Sequence, residues 1–104
     1  MKIIQIVPWD SGRLYGAIVK KEAAIRKANK GTFFRVSRTA NSTKWQHKNY
    51  KGSVKLQKAL SGIITAEVTS RLHDQESRLM EAFLGWVGRH FGNQIATINI
   101  HYRD

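Results

Sequence analysis

Two hydrophobic periods limit what this chain can fold into. In four short segments apolar and polar residues alternate, a two-residue period that is typical of half-buried β-strands. In residues 13–29 and 74–91 apolar residues recur every three or four positions, which predicts two amphipathic helices. Residues 2–7 are mostly β-branched and apolar and are expected to form a buried strand. The alternating segments are residues 32–38, 52–60, 63–71 and 94–103.

These elements follow one another in the order β-α-β-β-β-α-β. Alternating strands leave one sheet face in water, so both helices are expected on the other face. Two regions are ambiguous, because residues 14–19 could form a strand instead of a helix and residues 45–51 could form a loop or a strand. The predicted fold is an α+β two-layer sandwich with a mainly antiparallel sheet. A chain of 104 residues has the size of one domain, so residues 1–104 are expected to form a single domain.

Positive charge is concentrated in the middle of the chain. The formal net charge is +11, and residues 23–66 contain ten Lys or Arg but no Asp or Glu. Within this acid-free segment, residues 38–58 carry Trp45, His47 and Tyr50 among six cationic side chains. Such a charge excess on a compact domain is typical of nucleic-acid-binding proteins. An anionic membrane surface or an acidic protein would satisfy the same sign of charge.

The main functional prediction is a small basic nucleic-acid-binding domain without catalysis that prefers single-stranded or flexible RNA or DNA. Bases stack on aromatic rings, while Lys and Arg contact phosphates. We expect Trp45 and Tyr50 to supply stacking from the basic loop, together with Phe33, which the predicted register places with Arg35 on the uncovered sheet face. The predicted nucleic-acid-binding residues are Arg35, Arg38, Lys44, Trp45, His47, Lys48, Tyr50, Lys51, Lys55 and Lys58.

Each aromatic side chain also has a structural interpretation. A Trp or Tyr packs in a core or at its margin more often than it forms an exposed stacking platform. Trp9 and Trp86 are interpreted as packing residues on this basis.

A metal-independent ribonuclease is an alternative prediction. Glu67 is the first acid after the acid-free segment, and the predicted register places it on the same open face as His101. His47 could reach that face from its loop. A Glu and a His among cations could act as general base and acid in RNA cleavage. In the structural interpretation Glu67 pairs with a cross-strand Lys or Arg, so the main prediction assigns no catalytic residue.

A protein-interaction module is the third possibility. A basic α+β domain could bind an acidic protein, or it could self-associate through an edge strand such as the last one, with Ile95 near its start. The sequence leaves open the oligomeric state and whether the open sheet face binds a partner or another copy of the chain.

Several classes of site are disfavoured by composition and spacing. The chain has no Cys, which excludes disulfides and a thiol nucleophile. Its four His residues lack metal-ligand spacing and its Gly residues match no phosphate loop, so no metal or cofactor is expected. No apolar run approaches the roughly 20 residues of a membrane span. A cytoplasmic location is therefore the default expectation.

Overall fold

The computed structural model describes residues 1–10 and 12–103, in which six strands form one antiparallel sheet and two helices pack on one of its faces. The predicted α+β sandwich and its element order are confirmed. One strand is added at Ser42–His47, which begins before the ambiguous region of residues 45–51 and ends within it. The strand order across the sheet is β2-β3-β4-β5-β1-β6. In chain order the elements are β1 (Lys2–Pro8), α1 (Leu14–Lys27), β2 (Phe33–Arg38), β3 (Ser42–His47), β4 (Ser53–Lys58), β5 (Ile64–Thr69), α2 (His73–Phe91), a 3-10 turn (Gly92–Gln94) and β6 (Ile95–Tyr102).

The core lies between the helices and one face of the sheet. Trp45 of β3 is its largest fully buried side chain, with none of its surface exposed. Its ring lies 5.1 Å from that of Trp86 and 5.8 Å from that of Phe33. Strands β1, β4 and β5 contribute alternating apolar residues, and the helices contribute apolar residues at helical spacing. Those core residues include Ile4, Ile6, Val54, Leu56, Ile64, Ala66, Val68, Leu14, Ile18, Leu79, Phe83 and Val87.

The predicted register of β2 is wrong. Phe33 and Arg35 were expected on the open face, but Phe33 is buried and Arg35 lies opposite Trp45, on the helix-covered side. The register then shifts between Arg35 and Ser37 through a bulge or irregularity. Two adjacent Phe residues give no information about which of them faces inward, and a slip of one residue exchanges the two faces. Phe33 occupies the core position, where its ring packs against those of Trp45 and Phe83.

The two other tryptophans differ in their environment. Trp86 is buried, which confirms its interpretation as a packing residue. The same interpretation is wrong for Trp9, because 75% of its surface is exposed. Trp9 follows β1, beyond the last paired residue Pro8, and its backbone N–H donates to Gln94 just before β6. It therefore marks the end of the sheet formed by β1 and β6.

Glu76 fastens the start of β1 to α2. Its carboxylate is buried and accepts a 2.7 Å hydrogen bond from Lys2 Nζ, while the Met1 ammonium group lies 3.2 Å away. The backbone N–H of Ser70, after β5, donates to the other carboxylate oxygen. Burial raises the pKa of Glu76, but these donors and the Lys2 charge outweigh burial and leave the pKa below its ordinary value.

This lowered pKa predicts a loss of stability in acid. A carboxyl group whose pKa is lower in the folded state stabilises the fold above its unfolded pKa, and that stabilisation is lost as the pH falls through the folded pKa. Replacing Glu76 with Gln should lower the free energy of unfolding at pH 7 by about 2 kcal/mol and flatten its dependence on pH below the ordinary value of 4.5. Urea unfolding of both proteins from pH 7 to pH 3 measures this effect.

Glu81→Gln is the matched control, because Glu81 lies exposed on the same helix. If Glu76→Gln and Glu81→Gln change the pH profile equally, the network around Glu76 is not the source of the acid sensitivity.

Candidate nucleic-acid interface

The acid-free segment of the sequence becomes one end of the folded sheet. Residues 23–66 supply the last five residues of α1, the adjacent strands β2, β3 and β4, and the first half of β5. The two carboxylates that border this segment, those of Glu22 and Glu67, differ in where they lie. Glu22 is buried on α1, where its Oε2 lies 3.1 Å from Arg26 Nε, and Glu67 lies on β5 next to β4. We call this region, residues 23–58 of α1, β2, β3 and β4, the basic end.

Two lysines of the basic end lie directly opposite each other on the open sheet face. Lys44 of β3 pairs with Lys55 of β4, and Lys55 in turn pairs with Glu67 of β5. Like charges at directly opposed positions of a sheet are destabilising. Glu67 offsets part of this repulsion from one side. A bound anion between the two lysines would relieve the rest.

A shallow groove surrounds this lysine pair. It has a volume of about 370 Å³ and combines three cationic side chains with several hydroxyl groups. The Ser53 and Thr69 hydroxyls lie 3.3 Å apart, and Thr39 Oγ1 lies 2.7 Å from Ser42 Oγ. Cations and hydroxyls are the groups that contact phosphates in nucleic-acid complexes. This open-face groove is lined by Ser37, Arg38, Thr39, Ser42, Thr43, Lys44, Ser53, Lys55, Glu67 and Thr69.

A second groove of about 600 Å³ runs along the outer edge of β2. Arg26 of α1 and Arg35 of β2 line it, and the ion pair with Glu22 holds Arg26 in place. Arg26 was not among the predicted site residues, although its position in the acid-free segment was a signal. The edge groove is lined by Arg26, Arg35, Val36, Ser37, Arg38, Thr39 and Ala40, of which Ser37, Arg38 and Thr39 also line the open-face groove.

Arg38 links the two grooves. Arg38 lines both of them, and its positive charge also interacts with the hydroxyl of Tyr15 of α1, on the helix-covered side. Burial raises the pKa of Tyr15, and the positive charge of Arg38 opposes that shift. A cationic surface thus continues around the edge of β2, from Lys55 and Lys44 through Arg38 to Arg35 and Arg26. We call this surface the cationic track.

The aromatic part of the predicted site lies elsewhere. The predicted stacking role of Trp45 is wrong, because its side chain is fully buried in the core. His47 and Tyr50 stack on each other with ring centroids 4.7 Å apart, and His47 also meets the edge of buried Phe33 at 4.8 Å. Burial lowers the pKa of His47, whose Nδ1 accepts a hydrogen bond from the Asn49 backbone N–H. These rings pack against the helix-covered side and do not face the lysine pair.

The remaining predicted lysines are separate from the track. Lys48 and Lys51 line a small groove of about 320 Å³ at the turn between β3 and β4, next to His47 and Tyr50. Lys58 ends β4 opposite buried Ile64, on the helix-covered side of the sheet, whereas the Lys44–Lys55 pair lies on the open face. Of the ten predicted residues, Arg35, Arg38, Lys44 and Lys55 are brought together.

The structure places two of the three alternative ribonuclease residues on the open face and the third on the helix-covered side. Glu67 and His101 both lie opposite Ile3, one on each side of β1. Glu67 and His101 therefore share the open face, as predicted, with their backbones two strand spacings of about 4.8 Å apart. His47 packs on Phe33, on the other side of the sheet. Within residues 1–10 and 12–103, no group of three or more His, Asp or Glu side chains could hold a metal ion.

In the described part of the chain, neither helix is both long and apolar enough to cross a membrane. No family model, curated protein or solved structure matches the chain.

Proposed function

We propose that this chain binds single-stranded or flexible nucleic acid, without cleaving it, through the cationic track. The observation that carries the proposal is the pair of adjoining grooves that share Arg38. Together they line up five cationic side chains around one sheet edge, and the charge repulsion between Lys44 and Lys55 gives a phosphate a favoured position.

The shape of the track favours a single strand over a duplex. It turns around the edge of β2 in a molecule with principal extents of only 35 × 34 × 25 Å. Duplex DNA has a persistence length of about 50 nm and cannot follow so sharp a turn without a large deformation energy. A single strand can follow it, and each contacted phosphate adds to the affinity.

Stacking has a smaller part in this mode of binding than the sequence predicted. With Trp45 in the core, Phe34 is the aromatic residue that β2 presents on the open face, where it pairs with Gln46. Affinity should therefore depend on salt more than on base identity. An acidic protein is the alternative partner for the basic end. A cytoplasmic location stays a prediction.

Reversing the charge of the lysine pair should weaken binding at least about tenfold. In Lys44→Glu with Lys55→Glu, two phosphate contacts are lost, and the slope of log affinity against log salt should become shallower by about 1.4, at about 0.7 per contact of a single strand. Fluorescence anisotropy with labelled single-stranded RNA, single-stranded DNA and a duplex, each over a salt series, measures both quantities. The wild-type protein should bind the single strands more tightly than the duplex.

Lys20→Glu with Lys21→Glu is the matched control, because it changes net charge equally at exposed positions of α1 outside the acid-free segment. Lys48→Glu with Lys51→Glu tests the separate groove at the turn between β3 and β4, beside Tyr50. If the Lys20–Lys21 variant loses as much affinity as the Lys44–Lys55 variant, binding is a general charge effect and the track is not the site. No binding of nucleic acid at low salt would overturn the proposed function.

A further inference from the structure

The two edges of the sheet differ in how they are protected against pairing. Unprotected edge strands can add a strand from another chain, and proteins prevent this with charges, prolines and bulges. Strand β2 carries Arg35 and Arg38 and has an irregular register between Arg35 and Ser37. At the other edge, β6 is eight residues long and contains no Lys, Arg, Asp, Glu or Pro. Of the two edge strands, β6 is the one that lacks these protections.

Large apolar side chains are exposed along the β6 edge. Ile98 and Tyr102 face the helix-covered side, since they pair with Ile6 and Lys2, yet they are 37% and 70% exposed. The neighbouring Ile6 is completely buried, and Ile100 of β6 is partly buried against the core, whereas Ile98 and Tyr102 stay exposed. Trp9, 75% exposed, lies beside the start of the strand. Tyr and Trp are enriched at the centres of protein interfaces.

From this edge we infer that the chain forms a homodimer in which the β6 strands of two copies pair antiparallel about a two-fold axis. An antiparallel pair brings side chains on the same face opposite each other, so the apolar series Ile98, Ile100 and Tyr102 meets the same series of the second copy. The uncovered apolar surface next to β6 is then buried, and the two sheets form one continuous sheet.

Charge favours the β6 edge over the β2 edge as the place where two copies pair. The net charge of +11 makes two copies repel, and the basic end lies across the sheet from β6. Pairing through β6 keeps the two basic ends as far apart as the sheet allows, whereas pairing through β2 would bring the arginines of the edge groove together. This dimer is independent of nucleic-acid binding, because the cationic track is at the opposite edge.

Sedimentation equilibrium tests the inference directly. The wild-type chain, of 11.9 kDa, should show the mass of a dimer that dissociates on dilution. Ile98→Lys and Tyr102→Lys should each give a monomer, because they place like charges at the paired edge. Val36→Lys puts the same charge on the exposed, apolar site of the other edge and should leave the dimer intact. Circular dichroism identifies any variant that fails to fold, and Tyr102, the more exposed position, then decides.

Crosslinking locates the interface. Because the chain has no Cys, a single introduced Cys reports only on contacts between copies. Asn99→Cys on β6 and Gln57→Cys on β4 are matched, exposed amide positions on the open face. With a short bis-maleimide, Asn99→Cys should form covalent dimers and Gln57→Cys should not. A wild-type chain that is monomeric at every concentration, or equal crosslinking at both positions, would overturn the inference.

Discussion

Replacing Trp45 with alanine should destabilise the fold by about 3–5 kcal/mol, one of the largest effects of any single substitution in the core. The side chain is fully buried and its ring contacts those of Phe33, Phe83 and Trp86. Removing it leaves a cavity between β3 and α2 that the surrounding aromatic rings cannot fill without losing contacts with one another. Thermal and urea unfolding measure the loss.

Trp45→Phe is the informative control. The indole Nε1–H of Trp45 is buried and has no hydrogen-bond acceptor among residues 1–10 and 12–103, which costs free energy. Phenylalanine keeps most of the packing and removes this donor, so Trp45→Phe should be much less destabilising than Trp45→Ala. The opposite pattern, in which Trp45→Ala unfolds at the wild-type temperature but loses single-strand binding, would restore the stacking role that its burial argues against.

Gly52→Ala should also be strongly destabilising, by about 3 kcal/mol or more. Gly52 connects the turn after β3 to β4 and has a φ of 126°, a conformation that residues with a Cβ rarely adopt. A Cβ at this position would lie 2.3 Å from the Thr69 carbonyl oxygen and 2.9 Å from Ser70 Cβ. Since the oxygen belongs to the backbone at the end of β5, either β4 or β5 would have to move.

Gly88→Ala is the control for this prediction. Gly88 is an exposed position within α2, and an added Cβ would have no heavy atom within 4 Å outside its own surroundings in the helix. Alanine there should stabilise the protein by about 0.5–1 kcal/mol, because glycine is unfavourable inside a helix. Urea unfolding of both variants should therefore give changes of opposite sign. A Gly52→Ala protein as stable as the wild type would show that the turn can relax.

Much of the fold could be predicted because the signals are local. The helix predicted from apolar spacing at residues 74–91 has nearly the bounds of α2. The alternation in residues 52–60 and 63–71 identifies the β4–β5 hairpin, including the inward direction of Val54 and Val68. The ambiguous start of α1 at Leu14 proved helical. These features depend on neighbours in sequence, and hydrophobic period reports on them directly.

Part of the candidate site was also visible in the sequence. The absence of acids between Glu22 and Glu67 identified the basic segment, and Arg38, Lys44 and Lys55 were among the residues predicted within it. The prediction treated Trp45 as part of the same surface because it lies among lysines in the sequence. In a strand, however, Trp45 and its neighbour Lys44 point to opposite faces of the sheet.

By itself, then, the sequence determined the order of elements apart from β3, the helix-covered face of the β4–β5 hairpin and the excess of positive charge in one segment, because each follows from local spacing or composition. Only the tertiary structure decided which Phe of β2 enters the core, that Lys44 lies opposite Lys55, that Arg26 joins Arg38 at one edge, and that β6 forms the other edge. These are matters of strand pairing between residues distant in the chain, and the free energy of packing the whole core selects the pairing.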